Sequence, residues 1–183
     1  MTRCIALLRG VNVGKAKRIP MAELRDLLED LGLTDVRTLL NSGNAIFSSA
    51  RPQVTTLATA ISDAIARRFR FTAPVIVITA TDLNTIVTGN ALTDGEAEPS
   101  KLLVAFVASA AVLTQARPLL AQSWTPDKLH VGPKAAYLWC ARGVIESKLM
   151  QAFTRATSDA TTTRNWTTVL KLQAAAIQGH QHA

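Results

Sequence analysis

The order of apolar segments along the first 80 residues constrains the fold more than any other feature of the chain. Uninterrupted runs of Val, Ile, Leu and Ala predict strands, whereas apolar residues at every third or fourth position predict a helix. The predicted elements are strand Ile5–Leu8, helix Met21–Leu31, strands Val36–Leu40 and Ala45–Ser48, helix Val54–Phe69 and strand Pro74–Ala80. The predicted order is therefore βαββαβ.

The same order recurs after residue 100. The predicted elements there are strand Leu102–Ala108, helix Val112–Gln122, strands Lys128–Val131 and Ala135–Cys140, helix Glu146–Ala156, strand Thr161–Thr163 and a last helix from about Asn165 to Ile177. This order is that of the ferredoxin-like plait. We expect an α+β protein with two tandem ferredoxin-like (βαββαβ) subdomains, 1–80 and 101–163, an acidic connector, 81–100, and a C-terminal helix and tail, 164–183.

The segment between the first strand and the first helix, Arg9–Ile19, is rich in cations. It contains four Lys or Arg residues, two glycines and no acidic residue. Backbone N–H groups, the positive end of a helix dipole and flexible cations together suit the binding of an anion. The spacing excludes a P-loop, because only three residues separate Gly10 from Gly14 and Ala16 follows Lys15. The glycines alone fit simple turn geometry equally well.

The topology of a plait brings three connections to one end of the sheet. They are the loop Arg9–Ile19, the turn Asn41–Asn44 and the link Arg70–Ala73. We therefore predict a ligand-binding edge, to which Arg164 is added if the last helix packs against the first subdomain. The predicted ligand-binding residues are Arg9, Asn12, Lys15, Lys17, Arg18, Asn41, Ser42, Asn44 and Arg164. The open alternative is that the arginines near residue 70 complement a helix C-terminus and the asparagines only shape the hairpin.

Three parts of the chain carry a resemblance to a known family. They are Leu7–Gly14 with Ile19–Leu24, then Ser42–Phe47, and finally Thr162–Leu172. In these segments the chain resembles the bacterial DUF1697 family over nearly its whole length. The resemblance implies a small bacterial cytoplasmic protein with two ferredoxin-like subdomains, and it implies no activity. The chain departs from the family where Gly14-Lys15-Ala16-Lys17 stands in place of Gly-Gly-Lys-Asn.

Charge and the scarcity of catalytic motifs limit the function classes. The chain has 20 Lys and Arg against 13 Asp and Glu, and residues 1–80 carry 11 basic and 6 acidic residues. Such a surplus attracts phosphates and nucleic acid, and it also aids solubility. His130 is the one histidine outside the C-terminal tail, and no Ser-His-Asp, Cys-His or metal-ligand spacing is present. We therefore expect neither a metal nor a cofactor.

Three function classes are consistent with these patterns. We predict an anion-binding module, whose partner is a phosphorylated small molecule, a nucleotide or a nucleic-acid backbone. The alternative is an enzyme that acts on a phosphate- or carboxylate-bearing substrate at the same edge, and a third class is a structural or oligomeric partner protein. An RNA-recognition sheet is disfavoured, because the third predicted strand offers only Phe47 for base stacking.

Cysteine usage and hydropathy predict the cellular location. Cys4 and Cys140 lie in separate apolar strands, and two cysteines are too few for a disulfide framework. Arg9 interrupts the N-terminal apolar run, so we expect no signal peptide. The longest apolar run, Leu102–Leu113, is too short to span a bilayer. We expect a cytoplasmic protein with buried free thiols and no membrane partner.

Overall fold

The structure, a computed structural model, describes residues 1–93 and 98–177 of the 183-residue chain. It confirms the α+β class, with two four-stranded antiparallel sheets and, within the described residues, six α-helices. The elements divide into two compact units. The first unit comprises Met1–Leu83 and the last helix from Leu172, and the second unit comprises Asn84–Lys171.

The first unit has one sheet and two long helices. Its elements are β1 (Thr2–Leu8), α1 (Met21–Asp30), β2 (Thr34–Thr38), β3 (Asn44–Ser49), α2 (Val54–Phe69) and β4 (Val75–Thr79). The strand order is β2-β3-β1-β4, and β1 pairs antiparallel with both of its neighbours. In the register, Leu7 lies opposite Asn44 on one side and Ile76 on the other. The loop after β1, the start of β3 and the start of β4 therefore lie at the same end of the sheet.

Alternation along β1 builds the core of the first unit. Cys4, Ala6 and Leu8 belong to the apolar cluster that contains the buried leucines and isoleucines of α1 and α2. Ile5 and Leu7 point to the opposite face, and they are fully buried as well. A strand that is apolar on both faces fits its central position in the sheet.

The segment that follows β4 differs from the expected connector. Residues 81–100 were expected as an acidic connector, but their first part belongs to α3 (Ala80–Thr88). The Asp82 N–H donates to the Thr79 hydroxyl at the start of this helix, and Leu83 and Ile86 are buried on one side of it. This spacing of three residues is helical, and the acidic residues farther along obscured it. Residues 94–97 of the connector and 178–183 of the tail lie outside the described residues.

The second unit repeats the sheet arrangement with shorter helices. Its elements are β5 (Leu102–Val107), α4 (Ala110–Ala116), a 3₁₀ helix (Arg117–Ala121), β6 (Lys128–Val131), β7 (Ala135–Trp139), α5 (Lys148–Thr157), a 3₁₀ turn (Ser158–Ala160) and β8 (Thr161–Asn165). The strand order is β6-β7-β5-β8. Leu103, Leu138 and Phe153 lie in its apolar core. The last helix, α6 (Trp166–Ile177), begins directly after β8.

The end of the second unit corrects one expectation about Arg164. Arg164 was expected to open the last helix, but it lies in β8, opposite Val104 of β5. Strand pairing extends to Asn165, which lies opposite Leu103. The Asn165 side chain accepts a hydrogen bond from the Thr168 N–H at 2.9 Å, so the helix starts only after that residue.

Candidate functional site

Three connections of the first unit meet at one end of its sheet, and we call the surface they form the basic edge. It consists of Arg9–Ile19, Asn41–Asn44 and Arg70–Ala73. The Asn12 side-chain amide donates to the Ile19 carbonyl at 2.9 Å and to the Asn41 carbonyl at 2.8 Å. Its oxygen accepts from the Ile19 N–H at 2.8 Å. One asparagine thus closes the first loop and ties it to the turn.

Two further contacts join the link Arg70–Ala73 and the start of β4 to the same loop. The Lys17 ammonium donates to the Thr72 carbonyl at 3.2 Å. The Arg9 N–H donates to the Pro74 carbonyl at 2.9 Å. The predicted convergence of the three connections is therefore confirmed.

Gly43 is the point of closest approach between the turn and the loop. A Cβ atom at this position would lie 2.5 Å from Cγ2 of Val11 and 2.8 Å from Cβ of Leu8. Its φ of +78° also lies in the left-handed region, where a side chain is strained. The turn needs glycine both for its backbone conformation and for this contact. Leu40, directly before the turn, also has a left-handed conformation, with φ of 59°.

Two amide side chains of the basic edge, those of Asn12 and Asn44, bind the protein itself. Asn44 is fully buried, and its amide donates to the Leu39 carbonyl and to the Ser42 hydroxyl, both at 2.9 Å. Asn12 uses both donor hydrogens and its acceptor inside the unit. Asn41 contributes its backbone carbonyl to Asn12, while its side chain is exposed. Asn12 and Asn44 therefore shape the edge.

The cations of the loop have a different environment. Lys15, Lys17 and Arg18 are exposed, and Val13 beside them is 73% exposed. Among the described residues, no carboxylate lies within ion-pair distance of these three cations. Arg9 is half-buried, and its backbone N–H donates to the Pro74 carbonyl. The side chains of Lys15, Lys17 and Arg18 thus present positive charge to solvent, with no neutralising carboxylate among the described residues.

The arginines at the end of α2 have partly structural roles. Arg68 lies 3.9 Å from the Glu23 carboxylate and 3.4 Å from that of Asp30. Arg70 adopts a left-handed conformation with φ of 61°, and its N–H donates to the Ala66 carbonyl, which ends α2. The contacts of Arg70 support helix capping as its role, whereas the ion pairs of Arg68 join α2 to α1.

Arg164 lies in the second unit and is 9% exposed. Its guanidinium donates to the Thr162 hydroxyl at 2.9 Å and to the Thr163 carbonyl at 2.8 Å. Burial lowers the pKa of the Arg164 guanidinium to about 10, because desolvation disfavours the charged form. Arg164 belongs to β8 of the second unit, whereas the loop residues that were predicted with it belong to the first unit.

The histidine and cysteine residues of the described chain, which are residue types common in catalytic sites, pack against other parts of the protein. The His130 ring stacks on Tyr137, with 5.5 Å between ring centroids, and the Tyr137 hydroxyl donates to the Ile86 carbonyl at 2.7 Å. Cys4 and Cys140 are free and buried, and burial raises the pKa of both thiols. Phe47 is fully buried and offers no stacking surface.

Metal-ligand clusters and membrane-spanning helices are both absent from the described residues. No group of three or more His, Cys, Asp and Glu in that part of the chain could hold a metal ion. None of the helices described is both long enough and apolar enough to cross a membrane.

A groove in the second unit was not predicted from the sequence. The groove has a volume of about 660 Å³ and lies where α5 meets the segment Leu119–Trp124. The cations Lys148 and Arg155 line it together with Ala152 and Ala156. The two walls of the groove are about thirty residues apart in the chain, so the sequence indicates the spacing of residues within α5 but not the groove itself.

Comparison with solved structures supports the fold. The chain is similar to the conserved bacterial protein SP0830 from Streptococcus pneumoniae, with a TM-score of 0.75 and 20% sequence identity. The match covers 96% of this chain and 98% of that chain. At this identity the likeness shows the fold alone. No curated protein matches the sequence.

The family assignment rests on the sequence. The model of the family described as "Protein of unknown function (DUF1697)" matches residues 1–137, which include the whole basic edge. The resemblance found in the loop and turn segments is therefore confirmed, and the chain belongs to the DUF1697 family.

Proposed function

We propose that the basic edge binds an anionic ligand, either a phosphorylated small molecule such as a nucleotide or the backbone of a nucleic acid. The carrying observation is that Lys15, Lys17 and Arg18 are exposed on a tightly fastened loop, with no carboxylate of the described residues within ion-pair distance. Like charges held on one edge repel each other, and a bound anion would relieve that repulsion.

The hydrogen bonds of Asn12 support the same proposal through preorganisation. They fix both ends of the loop and its distance from the turn Asn41–Asn44. A loop that is already ordered loses less conformational entropy when a ligand binds. Charge-assisted hydrogen bonds contribute about 1.5 to 3 kcal/mol each, so two or three of them are consistent with micromolar affinity after association costs.

We infer that each unit is a ferredoxin-like plait and that the protein works in the cytoplasm. The antiparallel strand orders β2-β3-β1-β4 and β6-β7-β5-β8 support the first inference. The buried free thiols of Cys4 and Cys140 support the second, because reducing compartments keep thiols free. Arg164 is not included in the proposed site, because its buried guanidinium donates to Thr162 and Thr163.

A double neutralisation tests the proposed site. Lys15→Gln with Arg18→Gln removes two exposed charges that form no side-chain hydrogen bond or ion pair with a described residue, so the fold is expected to persist. Affinity for ATP, measured by calorimetry, and for a labelled single-stranded oligonucleotide, measured by anisotropy, is expected to fall at least about tenfold. The control variant Arg51→Gln with Arg142→Gln has the same change in charge at exposed positions outside the edge, and its affinity is expected to match the wild type.

Salt titration separates the two ligand classes. A nucleic-acid backbone releases counterions, so the logarithm of its affinity falls with the logarithm of salt concentration by about 0.7 to 0.9 per neutralised phosphate. A mononucleotide that occupies the same edge gives a shallower slope. If neither probe binds, or if binding survives the double substitution at the edge, the proposed function is wrong.

A further inference from the structure

The groove in the second unit has an apolar floor. Leu119 is buried beneath it, and Ala152 and Ala156 lie one helical turn apart on the same side of α5. The indole N–H of Trp124 donates to the Leu119 carbonyl at 2.8 Å, so its ring has no remaining donor to offer a ligand. These small and apolar groups allow a second backbone to approach α5 closely.

Two cations mark the length of the groove. Lys148 and Arg155 are both exposed and lie seven residues apart on α5, which places them about 10 Å apart along the helix axis. Among the described residues, no carboxylate lines the groove, and none forms an ion pair with either cation. Lys148 also occupies the first turn of α5, where the helix dipole disfavours a positive charge. An acidic partner would compensate all of these charges at once.

The concave surface continues on the other flank of α5. A second depression of about 370 Å³ is lined by Met150, Gln151, Thr154 and Arg155. It shares Gln151 and Arg155 with the larger groove. Because the two depressions share these residues, they form with the cations one continuous surface across α5.

We propose that this surface binds an acidic amphipathic helix of a partner protein. Two carboxylates seven residues apart on such a helix have the same axial spacing of about 10 Å as Lys148 and Arg155. Apolar side chains between the carboxylates would pack over Ala152 and Ala156, in the manner of helix-in-groove recognition. Matched spacing of charge and apolar surface selects this partner over a basic or neutral helix.

The test uses two synthetic helical peptides with the same leucine face. One carries Glu and the other Lys at two flanking positions seven residues apart. Each is titrated into the isotopically labelled full chain, and amide shifts are followed by NMR. The acidic peptide is expected to shift amides of α5 and of Leu119–Trp124 and to bind at least about tenfold more tightly than the basic peptide.

Charge reversal provides the decisive comparison. Lys148→Glu with Arg155→Glu is expected to lower the affinity for the acidic peptide at least about tenfold and to create binding of the basic peptide. Arg142→Glu with Lys171→Glu has the same charge change at exposed positions that do not line the groove, and it is expected to leave both affinities unchanged. Melting curves of both variants establish that they are folded.

Several results would overturn the proposed helix-binding surface. They are equal affinity of the two peptides, absence of binding by both, and amide shifts confined to the basic edge of the first unit. Binding of benzoate in the groove without any effect of the acidic peptide on α5 would identify a small-molecule site instead. The Lys15 and Arg18 variants leave this surface untouched, so its test and that of the anion site fail independently.

Discussion

Substitution of Asn12 by alanine is expected to loosen the basic edge and to destabilise the first unit. The change removes two bonds donated by the side chain, to the Ile19 and Asn41 carbonyls, and one accepted from the Ile19 N–H. It also leaves alanine at φ of 57°, a left-handed conformation that asparagine tolerates better. Both effects act on the folded state in the same direction.

The expected loss of unfolding free energy is about 3 kcal/mol. Three hydrogen bonds with a net value of about 0.5 to 1.5 kcal/mol each contribute about 2 kcal/mol, since one of them is exposed. Left-handed strain adds about 1 kcal/mol. For a chain of this length the melting temperature falls by about 2 to 4 °C per kcal/mol. Urea unfolding and thermal melting, both followed by circular dichroism, measure the change.

Two matched variants separate the contributions. Asn12→Gly tolerates the left-handed backbone but lacks the three bonds, so it is expected to lose about 2 kcal/mol. Asn41→Ala leaves the backbone carbonyl that accepts from Asn12 intact, so its stability is expected to stay within about 0.5 kcal/mol of the wild type. Hydrogen exchange of the Ile19 amide gives a local readout, because that N–H donates to Asn12. An Asn12→Ala protein as stable as Asn41→Ala would refute the clamping role.

One substitution, at Gly43, and one titration, of Tyr137, test the packing of buried groups. Gly43→Ala is expected to lower the free energy of unfolding by at least about 2 kcal/mol, because the new Cβ would lie 2.5 Å from Val11. In the control variant Gly10→Ala the new Cβ meets no atom within 4 Å, and the expected loss is only about 1 kcal/mol. Equal melting temperatures of the two variants would contradict the close approach at Gly43. Burial raises the pKa of Tyr137 from 10.0 to about 12, so the phenol ionises at lower pH in the unfolded chain than in the folded protein. The free energy of unfolding is therefore expected to keep the full contribution of this burial below about pH 10 and to fall progressively towards pH 12. Tyr137 is the one tyrosine in the chain, so phenolate absorbance reports it directly, and ionisation of the native protein near pH 10 would contradict this burial.

Local patterns in the sequence were sufficient for most elements. The helix predicted over Val54–Phe69 is α2, because a stripe with Ile61 and Ile65 at its centre faces the core. The helix α3 was missed because its two buried residues, Leu83 and Ile86, precede a polar and acidic segment that dominates the composition of 81–100. A short apolar pattern beside a long polar one carries too little periodicity to be recognised.

The convergence of the three connections could be predicted from topology, but the roles of the residues in them could not. An asparagine at the mouth of a loop can bind either a ligand or the chain, and the residue type is the same in both cases. Only the distances from Asn12 to Ile19 and Asn41 distinguish the two. Arg164 shows where local sequence patterns fail to predict an element. It pairs with Val104, which is 60 residues away in the chain, and no local pattern extends β8 to include it.

The basic edge separates residues that maintain its shape from residues available to a ligand. Asn12 and Asn44 use their amides inside the unit, whereas the side chains of Lys15 and Arg18 form no hydrogen bond or ion pair with the described residues. Stability and anion affinity should therefore respond to different substitutions. Asn12→Ala is expected to lower both, since it loosens the loop that carries the cations. Lys15→Gln with Arg18→Gln is expected to lower affinity at an unchanged melting temperature, and a matching loss of stability would show that these cations hold the loop in place.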